Sequence, residues 1–444
     1  MRRPKRRKTN EFQFETNWLK LERLRAIGPG EIVKHRNKPE YQIPVATYPE
    51  AELPVDVCCL AGTFRRDGFA KVKYRDRRFE PMPTKLIVHR QVWECLTCGS
   101  KVREDVPDLD EKWFVTNRFK HEIQMASIKR PFEDAAKLFG VDDSYIIRVF
   151  DEYAEQRFDR YSMDLPRVFG VDENRILGGD RFICADIETG KILDLLPSRD
   201  VKTVADLIER SSYRFNVEVF VQDMWSGYRT IAQAFFPNAI NVVDKFHVVR
   251  YANDGFADAR KHYQSKLDRG EGKSLKSRHR MFLARWDRLS DSSKDTLAEI
   301  LEDHPFLNDA YMAKERFFMM YDHTDRDDAI RYYDDWLKRT PKEVLRFYRP
   351  LRTLMKGWHE QIFNYFLARY TNGMVENLNG RINLINQMAK GMTFERFRRK
   401  AILRYGTLIP LDDLAAYSGE PDDTEVGYGF DLSLLEHDLR RGHF

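Results

Sequence analysis

VEVFVQDMWSGYRTIAQAF, residues 217–235, reads as a buried apolar strand that ends in an acid, Asp223, before a helix opened by Ser226. The pattern recurs on both sides of it. Upstream, RVFGVDENRI (167–176) is an apolar strand ending at Asp172, and RFICADIETGKILDLLP (181–197) is a pair of strands joined at Thr189-Gly190. Downstream, AINVVDKFHVV (239–249) delivers Asp244 in the same way. Strands mixed with helices predict an α/β class, and in open α/β sheets the carboxyl edge of the strands is where sites form. One aspartate at a strand end is ordinarily a turn former or a helix cap. Three in succession call for a shared reason.

A late helix supplies a fourth acid. In ARYTNGMVENLNGRINLI (368–385) and the residues after it, Val375, Leu378, Ile382, Ile385 and Ala389 recur at the spacing of one buried stripe. Beside them run Glu376, Asn379, Asn383 and Asn386, one carboxylate and three amides, although asparagine is a mediocre helix former. Glu376 near the helix start also favours the helix dipole, with Gly373 as N-cap. Cleavage or transfer of a phosphodiester needs convergent hard oxygen ligands for two Mg²⁺ ions about 4 Å apart. Two of the strand-end acids together with Glu376 would meet that need, and the amide stripe would then face nucleic acid or metal-bound water.

The rest of the chain bounds the class. At 444 residues it holds about two to four domains. Hydrophobic residues make up 42% and charged residues 33%, and no apolar run approaches the ~18 residues of a membrane span. With no apolar signal region at the start and five cysteines, an odd number, a reducing cytoplasm is expected. The net charge of +5 is unevenly spread: six of the first eight residues are basic, while 411–436 holds eight acids and no Lys or Arg. A basic arm suits a polyanion such as DNA.

Residues 41–106 read as short strands. CLTCGSK (95–101) offers Cys95 and Cys98 with the glycine turn of a zinc knuckle, and CCLAGTF (58–64) offers Cys58 and Cys59. Ala61 stands where a second thiolate of that upstream pair belongs, and His89 is the remaining candidate ligand, so a Zn²⁺ site and a plain ribbon cored by Ile87, Val92 and Trp93 are both open. Cys184 reads as a buried side chain. RPFEDAAKLFGVDDSYIIRVFDEY (130–153) reads as two helices around a Gly140 turn, Ala136 allowing a close crossing and Ile146 packing the second helix back. Asp142, Asp143 and Ser144 are candidate N-caps, and Ser144, Tyr145 and Arg148 are the candidate DNA contacts.

Taken together, the order of the acids, VVDKFHVVRYAND (242–254) and RYTNGMVENLNGRIN (369–383) resemble the DDE transposases of bacterial insertion sequences, in the ISL-three branch. The resemblance spans roughly residues 55–408. After the basic arm (1–40) that the charge pattern marks, it implies a zinc-ribbon-like module (41–106), a helix-turn-helix domain (107–160), and an RNase H-like core in two parts (161–250 and 366–410). A helical insertion (251–365) separates those parts and accounts for the 153 residues between Asp223 and Glu376, and an acidic tail (411–444) follows. It also implies an Asp172, Asp223, Glu376 triad holding two Mg²⁺ or Mn²⁺, with Asp244 and His247 as site neighbours beside Asn379 and Asn383. The implied partners are double-stranded DNA, both transposon ends and target, and a second copy of the chain. An RNase H-like nuclease or resolvase without strand transfer, and a DNA-binding regulator without catalysis, are the alternatives.

Overall fold

The structure, a computed structural model, describes residues 19–35, 38–48, 52–53, 63–79, 82–159, 161–211, 214–371, 373–406 and 408. The basic start, the acidic end, Cys58, Cys59 and Ala61 lie outside the described residues. The chain forms two units, 1–157 and 158–444.

The first unit is built on a long antiparallel pair, Phe64–Phe79 with Met82–Cys95. Lys38–Thr47 joins its outer side in parallel, and Leu24–Ala26 and Glu31–His35 add to that strand. The sheet therefore begins inside the segment expected to be a basic arm. Its core is Leu24, Ile43, Val45, Tyr74, Leu86 and Val88. Leu86 and Val88 are buried, whereas Ile87, Val92 and Trp93 are only half-buried and lie outside this core. Three helices follow, Asn117–Lys129, Phe132–Phe139 and Asp143–Phe158, sharing a core of Phe119, Ile123, Ala135, Ala136, Ile146 and Val149. Gly140 ends the middle helix in the left-handed conformation (φ 62°, ψ 40°), which a side chain would resist.

In the second unit five strands form one sheet: β1 (Val168–Ile176), β2 (Gly179–Asp186), β3 (Lys191–Leu196), β4 (Val219–Gln222) and β5 (Ile240–Val243), in the order β3-β2-β1-β4-β5. β2 runs antiparallel to both neighbours, while β1, β4 and β5 are parallel. Leu177 and Gly178 connect β1 to β2 with positive φ at both positions (51° and 78°), the two-residue turn that matches strand twist. β1 does not stop at Asp172 as its composition suggests. Glu173, Asn174, Arg175 and Ile176 continue the ladder with β2, so the acid sits in mid-strand.

Residues beyond β5 are helical. Lys245–Gln264 leads into Arg269–Ser277, Asp291–Asp303, Pro305–Met319, Arg326–Arg339 and Arg349–Gly357. Phe317, Phe318 and Trp336 are buried there, whereas Trp286 is exposed. Trp336 Nε1 and Tyr348 Oη donate to the Ala313 and Ala310 carbonyls, so both buried aromatic rings have their polar atom satisfied. This region does not build a separate core. Its apolar residues are continuous with those on one face of the sheet. The chain returns beside the edge strand, where Asn364 Nδ2 donates to the Asn241 carbonyl at 3.0 Å. Gly373–Gln387 and Phe394–Tyr405 then close the unit.

Candidate active site

Register brings the acids together. β4 pairs with β1 as Val219 with Val168 and Val221 with Gly170, and with β5 as Gln222 with Val243. Extending both ladders sets Asp172, Asp223 and Asp244 abreast on three adjacent parallel strands, where β4 and β5 have just ended. The helix Gly373–Gln387 lies across β1 because Gly170 has no side chain. A Cβ there would collide with Ile187 and crowd Val375. That close approach lowers Glu376 and Asn379, one turn apart, towards Asp172.

The contacts are specific. Asp172 Oδ2 accepts from Asn379 Nδ2 at 2.8 Å, and Asp172 Oδ1 accepts from the Glu173 amide at 2.8 Å. The Met224 amide donates to Asp223 Oδ1. Asp244 is fully buried and caps the helix Lys245–Gln264, accepting from the Phe246 amide at 3.4 Å. One turn along that helix, His247 stands between two acids, its Nδ1 3.4 Å from Asp223 Oδ1 and its Nε2 4.0 Å from Asp244 Oδ2. Asp244, His247 and Glu376 each offer a ligand atom within 4.8 Å of the others, a spacing that one metal ion can span.

Electrostatics mark the same place. Burial pushes the Asp172 carboxyl up to about 6; the Glu173 amide and His247 pull it back, and the Asp223 and Asp244 charges add to the rise. Burial likewise raises Glu376 to about 7, with Asp244 and Asp172 adding to the rise and His247 opposing it. Burial and mutual repulsion raise the Asp172 and Glu376 carboxyls, and a further positive charge would favour their ionised forms. Hard divalent cations supply that charge through oxygen ligands, with His247 as a single nitrogen donor, so the residues present fit such ions.

The amide stripe has a different occupant from the one its pattern suggested. Asn379 holds Asp172 and receives Asn174 Nδ2 at 3.3 Å on its side-chain oxygen. Asn386 clamps the β1–β2 turn, accepting from the Leu177 amide at 2.9 Å and donating to the Arg175 carbonyl at 3.2 Å. Asn383 is exposed. The stripe therefore docks on β1, which is backbone that a polar strand end leaves in need of partners. Sequence reasoning missed Asn174, and also the pair formed by Arg199 with Glu173 at 2.7 Å beside Tyr228. The only local signal for these was polarity continuing past Asp172.

In the first unit, Asp142 serves as the N-cap, accepting from the Ser144 amide at 3.0 Å. Ser144 and Arg148 are exposed, and Arg148 lies 5.5 Å above the Trp113 ring. Tyr145 turns inward, edge-on to Trp113 at 5.3 Å, with its hydroxyl buried. Tyr145 therefore serves packing, whereas Ser144 and Arg148 stay on the surface. Cys95 is buried and Cys98 exposed. His89 cannot join them, because six residues of one continuous strand separate it from Cys95 by ~20 Å.

A family model described as transposase, of the ISL3 group, matches residues 169–401, just over half the chain. A second, the helix-turn-helix domain of transposase family ISL3, matches residues 104–154. The transposase for insertion sequence element IS1001 of Bordetella parapertussis is 21% identical over 330 residues, 71% of this chain and 80% of that one.

Proposed function

Since the chain belongs to the ISL3 family of transposases, we propose that it cuts and rejoins insertion-sequence DNA with Asp172, Asp223 and Glu376 as a catalytic triad on an RNase H-like core. The observation that carries this reading is the row of acids set abreast by β1, β4 and β5 beneath the Glu376 helix. The strand order, with β2 reversed beside three parallel strands, supports the RNase H-like assignment.

When bound, Mg²⁺ or Mn²⁺ supplies Lewis-acid activation of the phosphodiester and of the attacking oxygen. The chain's own groups position that chemistry. Asn379 and the Glu173 amide fix the Asp172 carboxylate, the Met224 amide fixes Asp223, and Gly170 lets Glu376 approach. Asp244 anchors the first turn of its helix and so places His247 against Asp223. No side chain here needs to form a covalent bond to DNA. A water oxygen attacks the scissile phosphorus, leaving a 5′-phosphate and releasing a 3′-hydroxyl, which then attacks a target phosphodiester and displaces the target's own 3′-oxygen. Ser144 and Arg148 of the helix-turn-helix contact the element ends.

The test is divalent-metal-dependent cleavage of DNA carrying the terminal repeats. Asp172→Ala, Asp223→Ala and Glu376→Ala each abolish cleavage and leave DNA binding in place. Cleavage surviving in one variant removes that residue from the triad. Cleavage without strand-joined products turns the reading to a nuclease, and no cleavage by the wild-type chain turns it to a binding protein.

A further inference from the structure

The helix Arg349–Gly357 has the most sharply divided faces in the helical region. Leu351 and Met355 are buried, while Arg349, Arg352 and Lys356 are exposed and fall within one narrow stripe at helical spacing. Among the described residues, none of these three cations is in an ion pair. Arg349 and Arg352 are also not there for the helix, although Lys356, in its last turn, suits the dipole. Arg349 and Arg352 occupy its first turns, where the helix dipole favours an acid and disfavours a cation, and no acid stands in that first turn. Two cations set against their own helix dipole and continued by Lys356 make an exposed positive stripe that suits an anion from outside.

The stripe is fixed relative to the active site. At its end, Arg229 Nη2 donates to the Gly357 carbonyl at 2.8 Å, and the same guanidinium stacks 3.7 Å above the Trp358 ring. Arg229 belongs to the helix that begins just after Asp223. Six residues separate the two, which caps their distance at ~20 Å. The end of the stripe, beside Lys356, is thus tied through Arg229 to the helix that follows Asp223.

We propose that Arg349, Arg352 and Lys356 form a track for the phosphate backbone of duplex DNA flanking the cleavage point. The inference rests on the reading of the chain as a DNA-cutting enzyme and names a surface which that reading does not. Three cations along one helix face, spread over ~10 Å, match consecutive phosphates rather than a single anion. Such contacts position DNA without reading its sequence.

The experiment is binding of the full chain to duplex DNA, with and without terminal-repeat sequence, across a salt series. The wild type is compared with Arg349→Gln/Arg352→Gln/Lys356→Gln and with the charge-keeping Arg349→Lys/Arg352→Lys/Lys356→Arg. Losing three phosphate contacts makes the slope of log K against log salt shallower by ~2.7. Over a fourfold rise in salt the wild type then loses ~40-fold more affinity than the glutamine variant. The loss is equal on both DNAs, and the charge-keeping variant retains the wild-type slope. An unchanged slope in the glutamine variant, or a wild-type chain that binds no duplex, overturns the proposal. Cleavage is not the readout. A chain that shows this slope yet never cuts sinks the triad and leaves the track standing.

Discussion

Glu376→Gln separates a metal-binding carboxylate from a structural one, because the two roles predict opposite signs for stability. In the folded chain the carboxyl is raised from 4.5 to about 7, chiefly by burial and then by Asp244 and Asp172. An acid raised in this way folds at full stability below its unfolded value and loses stability as pH climbs between 4.5 and about 7. At about 1.4 kcal/mol per pH unit that loss is bounded by ~3 kcal/mol, and partial solvent access reduces it to ~1–2 kcal/mol. Glutamine keeps the shape without the charge. In EDTA at about pH 8 the variant is therefore more stable than the wild type by ~1–2 kcal/mol, or ~2–4 °C in Tm for a unit of this size. At about pH 4 the two converge. Adding excess Mg²⁺ reverses the order, since only the wild type regains the energy by binding the ion. Thermal unfolding followed by circular dichroism, in EDTA and then in Mg²⁺ at both pH values, reads all four conditions. A variant less stable than the wild type in EDTA, or one stabilised by Mg²⁺ as strongly as the wild type, refutes the account of Glu376 as a charge held ready for a cation.

Three further outcomes follow from single contacts. Asn379→Ala removes the donor to Asp172 Oδ2; a hydrogen bond to a charged group is worth ~1.5–3 kcal/mol, so cleavage turnover falls ~10–100-fold with DNA affinity unchanged, while Asn383→Ala, on an exposed position, leaves turnover intact. Arg148→Ala weakens binding to element ends by ~1–3 kcal/mol with no comparable loss on unrelated duplex; an equal loss on both, measured by fluorescence anisotropy, makes Arg148 a phosphate contact instead. Lys314 is fully buried, donates to the Phe282 and Ala284 carbonyls at 2.6 and 3.0 Å, and pairs with Glu315 at 2.9 Å. Lys314→Met strands that carboxylate and costs ~3–5 kcal/mol, most of which Lys314→Met/Glu315→Gln recovers; equal denaturant midpoints for wild type and Lys314→Met would show that the pair contributes nothing.

What the sequence made legible was whatever a local pattern encodes. Apolar strands of four to nine residues ending in or carrying acids identified β1, β4 and β5, and the left-handed glycine at 140 marked the helix turn. Contacts between distant segments left no such pattern. Asn379 and Asn386 looked like residues facing a ligand because their partners, Asp172 and the Leu177 amide, lie 207 and 209 positions away. Face choice was equally hidden in the long strand Met82–Cys95, where apolar residues occupy both phases and only the packing of Tyr74 and Val45 selects Leu86 and Val88. His89 looked available to Cys95 until the strand proved continuous.

The 153 residues between Asp223 and Glu376 raise the question of how an active site survives so long an interruption. Loop-closure entropy grows only with the logarithm of length, so lengthening a ~20-residue connection to this size costs ~2 kcal/mol. The insertion offsets that cost at its base. Its apolar residues extend the core of the sheet, and the Asn364 side chain bonds the edge strand three residues before Asp244. The returning chain is thus pinned beside the strand that carries one acid before it delivers the helix that carries another. The insertion therefore acts as a scaffold for the position of Glu376, and one of its helices is held by Arg229 to the helix that follows Asp223.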